Sequence, residues 1–346
     1  MIEPGRLPTL HIVADSIPQA YYQAICAVWK HGATIRTEYD RKNDAGRFID
    51  PPSRDARVLI EVTNPFSQPR FAPLSFCEIG VYLAEIMGAK NGRVLPLKEL
   101  VKVKQGAKVP TTHWPYAYHQ RLTAWPELVP EIICTSEIFG YKELGFTEAY
   151  TDQLAMAIEA VAKTPYTRRA MCTTAIPNLD PYLTEDIPCL RELQLRCPED
   201  EEGNLVLNVS ATWRSRDLYK AWGDNVIAIA FLLEAVAKRI QELSGRPCRV
   251  GSYADYSGSL HIYGQDFGAV AGDEKKGLSS FFDNFPSEEA FVAKSLDSDT
   301  AKEMLVLPQL LELLSPKKIE EWQFDDTARQ IIIDLIGEIK DGTLTA

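Results

Sequence analysis

The chain has 346 residues, 45% of them hydrophobic and 25% charged, an ordinary globular composition that excludes disorder as its main state. Its 48 acidic and 37 basic side chains leave a formal charge of −11, which argues against non-specific nucleic-acid binding but not against a local arginine cluster holding one small anion. The longest apolar run, Val226 to Leu233, is far short of the ~20 residues of a membrane span, and the N-terminus carries no leader-like pattern, so a soluble, cytoplasmic protein is expected.

In chain order, a helix is predicted from Ile17 to Lys30, ending at Gly32, then a mixed-charge loop and a strand from Arg57 to Val62. Helical apolar spacing runs from Leu74 to Met87 and stops at Gly88. The segment 105–140, rich in Trp, Tyr and Pro, reads as irregular structure of the kind that often carries sites. Thr147 is placed to cap a helix with Leu154, Ala155, Ile158, Val161 and Ala162 on one face. A short strand within 167–178 follows, then Leu193 to Arg196, and then Leu205–Trp213, whose two-residue period predicts burial on one face. Helix 224–244, apolar on most sides and closed by Gly245, is expected to cross the centre. A strand from Gly258 to Tyr263 and a C-terminal helix after acidic loops complete the pattern. Strands and helices without strict alternation define an α+β protein with a mixed or antiparallel sheet packed with helices around a long central helix.

Seven cysteines are odd in number and scattered, with no CxxC or His-rich spacing, so no metal site and no disulfide framework is expected. One thiol stands out by its company. The order DQL at 152–154, Arg168-Arg169, Pro188-Cys189, Gln194, RSRD at 214–217, Asn225 and HIY at 261–263 resembles the thymidylate synthase family, which includes the deoxycytidylate hydroxymethylases. Spacing agrees as well as identity, with five residues from Cys189 to Gln194 and eleven from Arg214 to Asn225. The resemblance is firm over about a third of the chain. It implies a single domain over 1–346, made of a divergent N-terminal part (1–146), a motif-bearing core (147–267) and a divergent C-terminal part (268–346).

The resemblance implies a one-carbon transferase acting at carbon 5 of a pyrimidine nucleotide. Carbon 5 is a poor nucleophile until a thiolate adds at carbon 6, the role that falls to Cys189 with Arg214 beside it. Arg214 and Ser215 match the family's own-subunit phosphate ligands, with forked guanidinium donors suited to an oxyanion. Arg168 and Arg169 match the pair that reaches into the neighbouring site of a twofold homodimer. A further family arginine comes from an N-terminal loop, where Arg36 and Arg41 both qualify. His261 and Tyr263 share a strand face and match the pair on the sugar 3′-hydroxyl, while Gln194 joins the substrate-binding set. Asp217 matches the aspartate beside ring and cofactor. Asn225 favours uracil, an aspartate at its place suiting cytosine, although a shift of the helix start would bring Asp224 forward instead. Glu78 in SFCEIGVYL matches the glutamate that organises water and protons, and Tyr118 the tyrosine that assists removal of the carbon-5 proton.

Departures bear on the product. Leu190 follows the nucleophile in place of histidine, Trp213 precedes Arg214 in place of glutamine, the aromatic folate segment is absent, and the sequence shows no apolar closing tail. A site left wet would let water capture the methylene intermediate and yield hydroxymethyl. Gly223 stands where the family has proline, an opening beside the sugar that would admit a ribonucleotide. The expected activity is methylation of dUMP to dTMP with 5,10-methylenetetrahydrofolate or a tetrahydromethanopterin analogue. The alternatives are 5-hydroxymethylation of dUMP, dCMP or CMP, and a catalytically silent nucleotide binder.

Overall fold

The alternation at 205–213 is realised as a strand whose Leu205, Leu207, Val209, Ala211 and Trp213 are buried while Ser210 faces out. In the computed structural model, which describes residues 5–344 apart from 75–77, 105, 109–112, 137–139, 178–179, 181–186 and 269–276, this strand lies inside a mixed sheet. The strands are β1 (Thr9–Ala14), β2 (Ala33–Ile35), β3 (Ser53–Val62), β4 (Trp125–Ser136), β5 (Gly140–Thr151), β6 (Met171–Thr173), β7 (Leu190–Arg196), β8 (Leu205–Trp213), β9 (Arg216–Asp217) and β10 (Cys248–Ile262). The main sheet runs β1-β3-β10-β8-β7-β6, with β2 on β3 and β9 on β10. The β1–β3 and β8–β10 pairs are parallel; β3–β10, β7–β8 and β6–β7 are antiparallel.

One sheet face packs under the helix Trp222–Ser244, which meets the helices Ile17–His31, Ile79–Ile86 and Gln153–Lys163. Val226, Ile229, Phe231, Leu233 and Ile240 of the long helix are almost fully enclosed, which explains its apolar circumference. Side chains from Ile12 to Leu344 share this one core. The opposite face of the sheet leaves Val13, Leu59, Met171 and Tyr256 exposed.

Several elements differ from the sequence reading for physical reasons. The helix Gln153–Lys163 is capped by Asp152, whose carboxylate accepts from the Ala155 amide at 2.8 Å, whereas Thr147 lies within β5. The supposed irregular segment contains the short helix Tyr118–Thr123 and the strand β4, paired with β5 in a two-stranded ribbon. Pro126 and Pro130 mask that strand in the sequence, yet a ribbon has open outer edges where a missing N–H costs nothing. The helix expected from Leu74 begins at Ile79. β10 begins ten residues before Gly258, because its early part, CRVGSYADYS, lacks apolar alternation, and a register shift falls between Ser257 and Leu260. The C-terminal helix is Asp326–Lys340, capped by Asp325.

Candidate active site

The sheet ends, the 35–39 loop, the helix Ile79–Ile86 and the 114–118 segment enclose a cleft of about 810 Å³. Its lining includes Cys189, Arg214, Ser215, Asp217, Asn225, His261, Tyr263 and Tyr118, so strand pairing brings together residues spread over 146 positions. Cys189 stands immediately before β7. Because Leu190 pairs with Trp213, the Arg214 amide donates to the Cys189 carbonyl at 2.8 Å. The Arg214 guanidinium donates from Nε (3.1 Å) and Nη2 (2.6 Å) to the Ile187 carbonyl, fixing the turn that presents the thiol.

Asp217 lies in β9, its Oδ1 accepting the Lys220 amide at 3.0 Å; burial, with the charge of Asp266 nearby, pushes its carboxyl up to about 6. His261 is 5% exposed and burial lowers its pKa to about 4, so the imidazole is neutral at pH 7. Its ring centroid is 4.4 Å from that of Tyr263. Burial, with the Tyr116, Cys189 and Tyr82 charges adjoining, holds the Tyr118 phenol well above its usual range.

Asn225 occupies the first turn of the long helix and faces the cleft, its Nδ2 donating to the Tyr82 hydroxyl at 2.7 Å. Asp224 points to the other side, into a small apolar void with Ile17, Phe71 and Ile227. The helix start therefore presents asparagine, not aspartate. Gly223 also faces away from the cleft, and a Cβ there would meet the Tyr21 ring at 2.6 Å. It is a close-packing glycine, and the opening beside the sugar expected from it does not exist.

Five expected residues fall outside the cleft. Glu78 is exposed ahead of the helix Ile79–Ile86, beside Gln309, Glu312, Lys318 and Trp322. That helix reaches the cleft through Tyr82 and Glu85, one turn apart. Glu85 is ion-paired at 2.7 Å to buried Lys90, whose ammonium lies 4.7 Å from the Trp114 ring. Arg41 is turned onto Asp50, which accepts from its Nη2 at 2.6 Å and from its Nε at 3.0 Å, and this pairing holds the Asp50 carboxyl below its usual range. Arg36 lines the cleft instead, its guanidinium 4.3 Å over the Phe48 ring and bonded to Asp40 at 3.1 Å. Gln194 pairs with Ser210 across β7–β8, which places it on the open sheet face, where it donates to the Arg168 carbonyl at 3.3 Å. Arg168 and Arg169 are exposed just before β6.

Residues the sequence reading missed complete the walls. Glu85 is one of two acids in the apolar stretch Leu74 to Met87, the other being Glu78, and the spacing alone does not single it out. Arg216 enters the sequence pattern only as part of RSRD, yet it is 3% exposed and ion-paired to Asp255 at 2.7 Å. Asp55, raised by burial to about 6, accepts from Ser259 at 2.8 Å; no motif flags it, because β3 contributes it from about 200 residues away. Among the described residues, no group of three His, Cys, Asp or Glu side chains is placed to hold a metal ion, and no helix is long and apolar enough to cross a membrane.

The cleft on the mixed sheet thus brings a partly buried thiol, arginines, an amide and an imidazole onto shared walls. The family model described as thymidylate synthase matches residues 109–328, and the chain belongs to that family of one-carbon transferases, which act on nucleotides. It is similar to a protein of Methanosarcina acetivorans named "Putative thymidylate synthase", 24% identical over 78% of this chain and 94% of that protein. A Methanothermobacter marburgensis protein of the same name is 32% identical over 34% of this chain and 47% of its own length.

Proposed function

We propose that the chain transfers a one-carbon unit to carbon 5 of a uridylate, converting dUMP to dTMP. The observation that carries this reading is the convergence of Cys189, Arg214, Asn225 and His261 on one cleft, with Asn225 and not Asp224 facing in. Arg36, Arg214 and Ser215 form the end suited to the phosphate, and His261 with Tyr263 the place for the sugar hydroxyl.

The chemistry follows from these positions. Cys189 attacks carbon 6; the sulfur–carbon bond forms, the ring double bond opens, and its electrons move to the carbon-4 oxygen, where the Asn225 amide stabilises them. Carbon 5, now nucleophilic, bonds to the one-carbon unit. Tyr118 and water ordered by Glu85 take the proton from carbon 5, and the electrons left behind release the one-carbon unit from the nitrogen that carried it; hydride addition to that unit then expels the Cys189 thiolate and restores the ring double bond. Methylenetetrahydrofolate or its methanopterin analogue supplies the one-carbon unit and, for a methyl product, the hydride. The residues present fit such a group. The cleft is near the top of the ~300–1,000 Å³ range of small-molecule sites, leaving room for a second flat ring system against Trp114 and Tyr116, with Asp217 within the same walls.

A twofold dimer accounts for the position of Arg168 and Arg169 outside the cleft. The open sheet face carries exposed Val13, Leu59, Met171 and Tyr256, and Arg168 and Arg169 stand at its β6 edge. Incubation with dUMP, dCMP, UMP and CMP plus methylenetetrahydrofolate, with the product weighed, tests the reading. A methylated uridylate supports it; a hydroxymethylated product assigns the chain to the water-capturing branch, and no product from any base contradicts it.

A further inference from the structure

A lone asparagine does not discriminate uracil from cytosine. Its amide presents an acceptor beside a donor, and a half-turn about the last side-chain bond exchanges them at almost no change in shape. One orientation accepts from N3–H and donates to the carbon-4 oxygen of uracil; the other donates to N3 and accepts from the amino group of cytosine. Selectivity requires something that forbids the half-turn.

The structure assigns that role to Arg216, a positioning residue that locks Asn225 in the uracil-reading orientation; this inference rests on the uridylate reading above. Arg216 Nε donates to Asn225 Oδ1 at 3.1 Å, and a guanidinium has donors only, so an amide NH₂ turned toward it would find no acceptor. Nη2, on the same edge of the guanidinium, is buried without a hydrogen-bond partner among the described residues, so that edge offers nothing but donors. The lock is itself immobile. Nη1 donates to Asp255 Oδ2 at 2.7 Å, the two side chains are 1% and 0% exposed, and the guanidinium lies 3.9 Å over the Trp213 ring. Trp222 Nε1 also donates to Asp255 Oδ2, at 3.2 Å, tying the pair to the helix that carries Asn225. On the other side, Asn225 Nδ2 donates to the Tyr82 hydroxyl at 2.7 Å. The second lone pair of Oδ1 and the second hydrogen of Nδ2 remain for N3–H and the carbon-4 oxygen. Cytosine would require the half-turn, at the loss of a charge-assisted buried hydrogen bond, a discrimination of about 10- to 100-fold.

Calorimetric titration of the intact protein with dUMP and with dCMP, without cofactor, tests the inference through the ratio of the two affinities. The wild type should favour dUMP by at least about 10-fold. In Arg216→Gln, whose own amide can turn with Asn225, the ratio should collapse to within about threefold, whereas merely structural damage would weaken both nucleotides alike. Asp255→Asn combined with Arg216→Gln avoids stranding a buried carboxylate, and Tyr82→Phe loosens the amide from its other side without touching the ion pair. Each should lower the ratio. A wild type that binds both nucleotides equally, or a folded variant set with unchanged ratios, overturns the lock while leaving the uridylate site standing. A wild type that binds neither nucleotide overturns both.

Discussion

The Ser259 hydroxyl donates to Asp55 Oδ2 at 2.8 Å and lies 3.2 Å from His261 Nδ1, and these two distances settle where the imidazole proton sits. A hydroxyl has one hydrogen, spent on Asp55, so Nδ1 must donate to Ser259 and Nε2 must be the bare nitrogen. Nε2 is buried without a hydrogen-bond partner among the described residues, and His261 lines the cleft, so its bare nitrogen is an acceptor on the cleft wall.

That relay predicts a pH effect on binding. Burial raises Asp55 to about 6. Once protonated, Asp55 can donate to Ser259, which then donates to Nδ1 and moves the histidine proton to Nε2. Nε2 then donates to the sugar hydroxyl instead of accepting from it, so affinity for dUMP should change as pH falls through about 6, relative to a 2′,3′-dideoxy analogue whose phosphate titrates identically. Parallel calorimetric profiles for the two nucleotides would contradict the relay.

The same carboxyl predicts a stability trend. Its folded pKa lies above the ordinary 3.8, so its contribution to stability is full below 3.8 and is lost as pH rises through about 6. Asp55→Asn should raise the thermal midpoint at pH 8, by the equivalent of about 1–3 kcal/mol, and change it little at pH 4. Equal shifts at both pH values would show that the charge is not the cause.

The two N-terminal arginines should separate cleanly. Arg36→Ala should weaken dUMP at least about 10-fold while leaving deoxyuridine binding nearly unchanged, because a charge-assisted phosphate contact is lost. Arg41→Ala, already committed to Asp50, should stay within about twofold for both ligands. The reverse ranking would place the phosphate against Arg41.

Between the two glutamates, Glu85→Gln should reduce kcat at least about 100-fold, in keeping with loss of a general acid–base group, and Glu78→Gln should not. Steady-state turnover of the two variants decides it; a large loss at Glu78 would contradict the position of the cleft.

Much of this architecture was legible in local sequence. The buried face of β8, the central helix and the adjacency of Cys189 to Arg214 all follow from period and motif, since each is fixed by residues close along the chain. What escaped was long-range. Asp55 joins His261 only because β3 pairs with β10, and Arg216 becomes a wall only through Asp255 on a strand whose early residues carry no apolar alternation. Glu78 and Glu85 lie two helical turns apart on similar faces, so no periodic pattern distinguishes the one that reaches the cleft.

A shared-site dimer makes its own prediction. Cys189→Ser and Arg168→Ala/Arg169→Ala should each be nearly inactive, and mixing them after reversible dissociation should restore about a quarter of wild-type activity, since half the dimers become mixed and each has one intact site. No recovery from a dimeric mixture would return both arginines to a solvent-facing role.

The central claim is that Cys189 forms a bond to carbon 6 of a pyrimidine nucleotide, and peptide mass mapping after incubation with 5-fluoro-dUMP and methylenetetrahydrofolate tests it most directly. Fluorine at carbon 5 cannot leave as a proton does, so the thioether should persist. The account predicts nucleotide mass on the peptide containing Cys189 in the wild type and none in Cys189→Ser. A protein that binds the nucleotide yet carries no adduct at Cys189 would contradict it.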